Sequence, residues 1–459
     1  MPGPTFAPAS SADEFFDWAL ASGRSTLMSQ VPTARDAALD LIGAVLRRKR
    51  ALDDAIDESP SIPQLSGRDR AFARLLVATT LRRLGQIDAL VALCLSTPLA
   101  PRAAVVHDIL RIGVAQLMFL RTPAHAAVAT SVDLAHHRGF LSHKGLVNAV
   151  LRRLSVEGPG LLEAQDAARL NTPDWLWRSW TRSYGEPVAR AIATAHLKEA
   201  PLDLTLRNAS QGWCGKLQGT LLPTGTLRRP AGGSVVALPG YSEGAWWVQD
   251  AAAALPARLF GDVSGRAVVD LCAAPGGKTA QLATAGARVT AVDRSPRRLE
   301  RLIANFGRLD LPIEAVAADA LTWRPDHPID AVLLDAPCTT TGAIRRHPDV
   351  PHLKLPEDVA RLSVVQENLL RAAIDMLPPG GTLVYCTCSL EAEEGPDRIE
   401  ALLRAGAPVM RQPIDPGEIG AEAEWITSHG DLRTLPCHFA AYDGVDGFYC
   451  ARLIKRSDA

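Results

Sequence analysis

Cys386 and Cys388 stand two residues apart in "GTLVYCTCSLEAEEG" (381–395), where an apolar, β-branched run gives way to a cluster of acids. Residues two apart in a strand face the same side, so both thiols can look into one site. Three uses compete for such a pair: a metal site, a disulfide, or a reactive thiolate beside a neighbour that only packs. The eight cysteines (Cys94, Cys214, Cys272, Cys338, Cys386, Cys388, Cys437 and Cys450) include no C-x-x-C pair and no His at a ligand spacing, which argues against zinc. A bridge between residues two apart would close a very tight ring, and stable disulfides are rare in the cytosol. The reactive thiol is the use that remains in front.

A third cysteine bears on that reading. "DAPCTTTGAIRRHPD" (335–349) carries Asp335, Pro337 and Cys338 after an apolar strand. Upstream, "VVDLCAAPGGKTAQLA" (268–283) joins a strand to a helix through a glycine-rich turn. This turn is not a P-loop, because the required first glycine is replaced by Cys272, and it lacks G-x-G-x-x-G, which argues against a dinucleotide and a plain dehydrogenase. Asp293, Asp319 and Asp335 close three strands, the first placed for ribose hydroxyls and the second for an adenine. Any one of them is also a plausible helix cap. Together they would repel a polyphosphate but suit an adenosine carrying a sulfonium, S-adenosylmethionine. A thiolate beside a methyl donor points to covalent activation of a pyrimidine: attack at C6 makes C5 nucleophilic, and a second group must help remove the C5 proton and release the enzyme.

The elements that must position these groups fall into blocks. Residues 1–30 are rich in Pro, Ala and Ser and read as a disordered tail, with Met28 an alternative start. Over 31–157 only helical periodicity appears, in "ARDAALDLIGAVLRRKRALDDAI", "DRAFARLLVATTLRRLGQIDALVALCL", "AAVVHDILRIGVAQLMFL" and "GLVNAVLRRL", with breaks at Ser66-Gly67 and Thr122-Pro123. This predicts an all-α bundle. Residues 158–261 are mixed and predict a small α+β connector. Over 262–459 strands alternate with helices, predicting a parallel α/β Rossmann-like sheet with strands at 267–271, 289–292, 313–317, 331–334 and 382–386, a long helix at 356–377, and "DGFYCARLIK" as a closing strand.

The 459-residue length fits two or three domains, and 47% hydrophobic with 22% charged residues fits a soluble globular protein. No apolar run approaches a bilayer-spanning length and the start lacks a signal-peptide pattern, so a cytoplasmic address without a membrane partner is expected. The net charge of −1 is unevenly divided: 17 Lys and Arg face 10 Asp and Glu between Thr33 and Ser155. That basic third hints at a polyanion partner, as readily explained by solvated Arg on helix faces.

In this order, "DLCAAPGGKT", "DAPCTTTGAIRRHPD", "TCSLEAEEG" and "DGFYCARLIK" resemble the RsmB/Sun-type RNA cytosine-5 methyltransferases, and "DRAFARLLVATTLRRLG" with "KGLVNAVLRRL" resembles the NusB-like RNA-binding domain of the bacterial ribosomal members. The resemblance covers about 33–455. It implies that Cys388 is the nucleophile and Cys338 assists product release. It implies that Cys272, Ala273, Ala274, Pro275, Gly276, Gly277 and Lys278 hold S-adenosylmethionine with Asp293, Asp319 and Asp335, and that Asp335 also contacts the base. It further implies one cytidine of small-subunit ribosomal RNA as the target; separately, no metal and a monomeric enzyme are expected. Cys386 stands where the family has a small residue and is expected to pack. Thr339 and Thr340 replace the usual Ser-Ala and leave the base-pocket wall open. Two other schemes compete. A DNA cytosine-5 methyltransferase would attack from the strand-four cysteine and leave the T-C-S cysteine unexplained, and a noncatalytic RNA-assembly factor would not need the cofactor loop or both thiols.

Overall fold

A computed structural model describes residues 32–208 and 212–457. The tail expected over 1–30 and the choice of start lie outside the described residues.

Helical periodicity in the first block becomes seven helices: α1 (Ala34–Leu46), α2 (Leu52–Asp57), α3 (Gly67–Arg82), α4 (Leu84–Cys94), α5 (Ala104–Met118), α6 (Ala124–His137) and α7 (Lys144–Glu163). Thr33 and Asp36 form a reciprocal capping box at the start of α1, and the Ser66 hydroxyl accepts from the Asp69 N–H at 3.1 Å to open α3. Their apolar stripes meet in one core built on Leu41, Ile42, Leu76, Ile109, Ile112 and Leu151, all at most 2% exposed. The stretch read as continuous from Asp69 to Leu95 bends at Arg83, which ends α3 and starts α4. Helix α7 runs through the boundary drawn at residue 157, and Gly158 lets it pass Met118, where a Cβ would approach to 2.9 Å.

The connector holds more helix than its composition revealed: α8 (Ala167–Leu170), α9 (Asp174–Tyr184) and α10 (Glu186–His196) precede a small antiparallel sheet. Its strands β1 (Leu202–Leu206), β2 (Thr220–Leu221), β3 (Leu227–Arg229) and β4 (Trp246–Val248) lie in the order β2-β3-β1-β4.

The C-terminal block is a mixed sheet of eight strands: β5 (Ala267–Leu271), β6 (Arg288–Asp293), β7 (Glu314–Ala317), β8 (Ala331–Asp335), β9 (Thr382–Thr387), β10 (Val409–Arg411), β11 (Leu432–Thr434) and β12 (Phe448–Lys455). The order is β10-β12-β9-β8-β5-β6-β7, with β11 paired to β12. The five strands β5 to β9 pair in parallel, whereas β12 runs antiparallel beside β9. The expected closing strand is therefore second from the edge, and short β10 closes the sheet instead. Helices α11 (Gly277–Thr284) and α12 (Pro296–Leu309) follow β5 and β6, and the long α13 (Pro356–Met376) precedes β9. The chain leaves β5 toward β6 and β7, then returns to place β8 on its other side, so the carboxyl ends of β5 and β8 flank the topological switch point.

A buried ion pair ties the connector sheet to the last strands. Arg228 donates to both oxygens of Asp203, at 2.7 and 2.6 Å, and to the carbonyls of Tyr442 and Gly444. Asp203 is 0% exposed, so Arg228→Ala leaves a buried charge uncompensated and should cost about 3–5 kcal/mol in chemical denaturation. A loss below about 1 kcal/mol would mean that Arg346, 3.7 Å from Asp203, compensates it alone.

Candidate active site

The parallel pairing of β8 and β9 sets Asp335 opposite Cys386. It continues past the strand ends, where Ala336 N–H donates to the Cys386 carbonyl at 3.0 Å and Gly342 N–H donates to the Cys388 carbonyl at 2.9 Å. A Cβ on Gly342 would lie 2.0 Å from the Gly447 carbonyl, so only glycine lets the Cys338 loop close on the turn that leads into β12. The pairing of the β8 and β9 ends leaves a sulfur–sulfur distance of 3.5 Å between Cys338 and Cys388.

These thiols are not equivalent. Cys388 lines a cleft of about 570 Å³ together with Asp335, Lys278 and Phe448, and Cys338 stands behind it. The hydrogen bond to Cys388, with burial, raises the Cys338 thiol well above its ordinary value and keeps its proton on. Cys386 is fully buried, as the packing expectation required. Its sulfur also lies 3.5 Å from Asp335 Oδ1, and burial, followed by Asp335, pushes its thiol far up. It is a poor nucleophile that donates to the carboxylate.

Lys278 Nζ donates to Asp335 Oδ2 at 2.7 Å and sits 4.9 Å over the Phe448 ring. Burial works against the ammonium, yet Asp335 holds its pKa above the ordinary value. Beneath it, Asp270 is buried, accepts from the Thr279 hydroxyl at 2.6 Å, and leaves Oδ1 without a partner. Burial lifts this carboxyl to about 7.

The glycine-rich turn leaves β5 through Cys272, which occupies the left-handed region at φ +62 where a P-loop has glycine. Burial and then Asp293 push the Cys272 thiol up to about 12, so it is inert. Ala273, Pro275, Gly276 and Gly277 line the cleft; Cys272, Ala274, Asp293 and Asp319 do not. Asp293, 3% exposed, accepts the N–H groups of Ala274 at 3.2 Å and Ser295 at 2.9 Å and faces Arg298 at 3.4 Å. Asp319 follows β7 exposed and accepts the Leu321 N–H at 3.0 Å, the local cap that any single Asp in such a place supplies.

Sequence reasoning missed the group that holds the Cys338 loop. Glu394, 0% exposed, accepts the Thr339 N–H at 3.0 and 3.1 Å, the Thr339 hydroxyl, and the Gln366 amide at 3.1 Å. The same amide donates to the Pro337 carbonyl at 2.9 Å. Thr339 thus belongs to the loop's scaffold, whereas Thr340 lines the cleft. The signal was present as acids just after a thiol-bearing strand, but nothing local distinguishes Glu394 from its half-buried neighbour Glu393. Phe448 and Arg346 were also missed; Arg346 faces the cleft while pairing with Asp250 at 2.6 Å and Asp446 at 2.9 Å.

Among the described residues no group of three or more His, Cys, Asp or Glu is arranged to hold a metal ion, and no helix is long and apolar enough to cross a membrane. Residues 260–454 match the family model of the 16S rRNA methyltransferases RsmB/F, and residues 32–155 match that of the NusB family. The chain is 32% identical to ribosomal RNA small subunit methyltransferase B of Vibrio cholerae over 445 residues, 93% of this chain and 98% of the relative. It is 35% identical to the Pseudomonas putida protein of the same name over 440 residues, 92% and 98% of the two chains. Among solved structures, that of PH0851 covers 91% of this chain and 98% of its own at a TM-score of 0.70 and 20% identity, a likeness of fold. A methyltransferase homolog from Pyrococcus horikoshii covers 61% of this chain and 93% of its own, with a TM-score of 0.50 and 25% identity.

The Asp270 carboxyl gives a test by pH. Its folded-state pKa is raised from 3.8 to about 7, so between those values the folded chain keeps a proton that the unfolded chain releases, and stability falls as pH climbs through that window. Asp270→Asn keeps the acceptor for Thr279 and should remove this part of the slope, read as melting temperature against pH for both proteins. Parallel curves would mean that Asp270 is ionised in the folded chain.

Proposed function

The chain belongs to the RsmB/F family of 16S rRNA methyltransferases and carries a NusB-family domain ahead of the catalytic sheet, and from that premise we propose that it methylates C5 of one cytidine in small-subunit ribosomal RNA through a Cys388–C6 adduct. The observation that carries this reading is the pair of thiols 3.5 Å apart, of which only Cys388 faces the cleft shared by Asp335, Lys278 and Phe448.

The glycine-rich turn and Asp335, which line the cleft, fit S-adenosylmethionine: Asp335 offers an acceptor beside a positive sulfonium, and the Lys278 ammonium is already engaged and leaves the loop no free cation for a phosphate. Exposed Asp319 would reach the ligand from outside this cleft, and buried Asp293, whose oxygens accept the Ala274 and Ser295 N–H groups, would act by holding the turn. The turn 272–278 would pass against that ligand, and Gly276, at φ +101, has no room for a side chain beside Leu302. When bound, S-adenosylmethionine supplies an electrophilic methyl group on a positive sulfur.

The chain's own groups do the rest. The target base leaves its stack and enters the cleft, at a cost of a few kcal/mol if it is paired. Asp335 and Lys278 meet its polar edge. The Cys388 thiolate forms a bond to C6, and the electrons of the C5=C6 bond move so that C5 becomes nucleophilic and takes the methyl group. Once the Cys388 sulfur is a thioether it is a poor acceptor, so the Cys338 thiol loses the hydrogen bond that held its proton, releases that proton to water and stands as the thiolate that takes the C5 proton. Removal of the C5 proton then restores C5=C6 and breaks the S–C6 bond, returning Cys388 as a thiolate.

Two variants separate the roles. Cys388→Ala should bind RNA and S-adenosylmethionine but give neither methylation nor a covalent species. Cys338→Ala should still form the adduct and stall in release, accumulating a denaturant-resistant protein–RNA band on a gel. A stable band with Cys388→Ala instead would reverse the roles and support the DNA-enzyme scheme.

A further inference from the structure

The wall of the cleft extends beyond the glycine-rich turn and the thiol-bearing loops. Cys388, Asp335 and Lys278 account for part of its wall. Another part comes from the connector and from α12: Tyr241, Trp247, Asn305 and Arg308. None of these four belongs to the thiol chemistry.

Arg308 is held in one pose. Its Nη1 donates to the carbonyls of Tyr241 at 2.7 Å and Trp246 at 3.2 Å, and its guanidinium lies 4.2 Å over the Tyr241 ring. One face of the planar cation is therefore covered, and Nη2 makes no hydrogen bond among the described residues. Asn305 precedes it by three residues on the same helix, which places both on one face. Its amide has no hydrogen-bond partner among the described residues either, although it borders the cleft. A planar cation with a locked rotamer is a stacking platform for a base, and an unpaired amide beside it can meet a base edge with both donors and an acceptor. The main-chain carbonyls that fix Arg308 come from the connector, so the connector pre-organises this wall at no cost to the ligand.

Resting on the rRNA reading above, we propose that Arg308 and Asn305 form a subsite for the nucleotide adjacent to the target cytidine, its base stacked on the free face of the Arg308 guanidinium and its edge read by Asn305. Cys388, Asn305 and Arg308 line one continuous cleft, so a strand that runs along this wall from the cytidine at Cys388 brings a neighbouring nucleotide to Arg308. The subsite makes the connector part of the RNA-binding surface and gives it a share in choosing the site.

The test uses the full chain, 16S rRNA transcript, and a matched RNA lacking the base on either side of the methylated cytidine. Asn305→Ala and Arg308→Lys should raise KM for RNA roughly fivefold or more, the worth of one stacked or paired base, with kcat within about twofold and S-adenosylmethionine affinity unchanged by calorimetry. Removing one neighbouring base should penalise the wild type by a similar factor and add nothing further to Arg308→Lys. An unchanged KM for Asn305→Ala, penalties that multiply, or a loss of S-adenosylmethionine affinity would overturn the subsite while leaving the methylation reading intact. A wild-type chain that places no methyl group on a 16S cytidine would overturn both.

Discussion

A single buried carboxylate, Glu394, fixes the distance on which the chemistry depends. Burial raises its pKa, and it is tolerable there because the Thr339 backbone, the Thr339 hydroxyl and the Gln366 amide all donate to it. Thr339 is the residue after Cys338, so the clamp holds the β8 loop against the start of the segment that follows β9. The Tyr385 hydroxyl donates to the Glu394 carbonyl at 2.7 Å, tying that segment back to its own strand. The two sulfurs meet because backbone pairing and this clamp bring them together; a 3.5 Å contact between thiols would not hold two loops by itself.

The three parts of the chain join at two segments, one just beyond each of these thiols. From the helical domain, Leu52 N–H donates to Asp349 at 2.8 Å and Arg82 donates to the Arg345 carbonyl at 2.9 Å. His352 meets the Leu81 carbonyl at 2.9 Å. The connector reaches the other thiol loop: Tyr184 donates to the Leu390 carbonyl at 2.6 Å, and Glu391 accepts from Ser179 and, at 3.1 Å, from Trp180. The domain expected to meet RNA thus leans on residues 345–352, just beyond Cys338, and the connector leans on the residues just beyond Cys388.

Much of this was legible in the residues. Strong period-3.6 stripes located the bundle, β-branched runs located β5 to β9, and ordered motifs placed Cys388, Cys338, Asp335 and Lys278 at one sheet edge. What stayed hidden depends on partners distant in sequence. Glu394 and Glu393 look alike until folding buries one of them. The helices α9 and α10 are short, and "PDWLWRSWTRSYG" marks its buried face with Trp180 and Leu176 only once Glu391 and Leu390 are there to receive it. β10 has three residues and no periodicity to read. Asp293 and Asp319 were grouped by position alone, yet Asp319 makes only a local cap, whereas Asp293 also accepts the Ala274 N–H and so holds the glycine-rich turn. Cys386 was read as filler from its small-residue position, which matches its burial, but the reading had no means of finding the carboxylate across the strand pair.

The central claim is that this scaffold divides two adjacent thiols into one that reacts and one that keeps its proton. Timed alkylation of the free chain with iodoacetamide, followed by mass spectrometry of the peptides bearing Cys338 and Cys388, measures that division without any RNA. Cys388 should be labelled well ahead of Cys338 near neutral pH, and Glu394→Ala should narrow the difference by releasing the Cys338 loop. Equal rates for the two thiols in the unaltered chain, or faster labelling of Cys338, would contradict it.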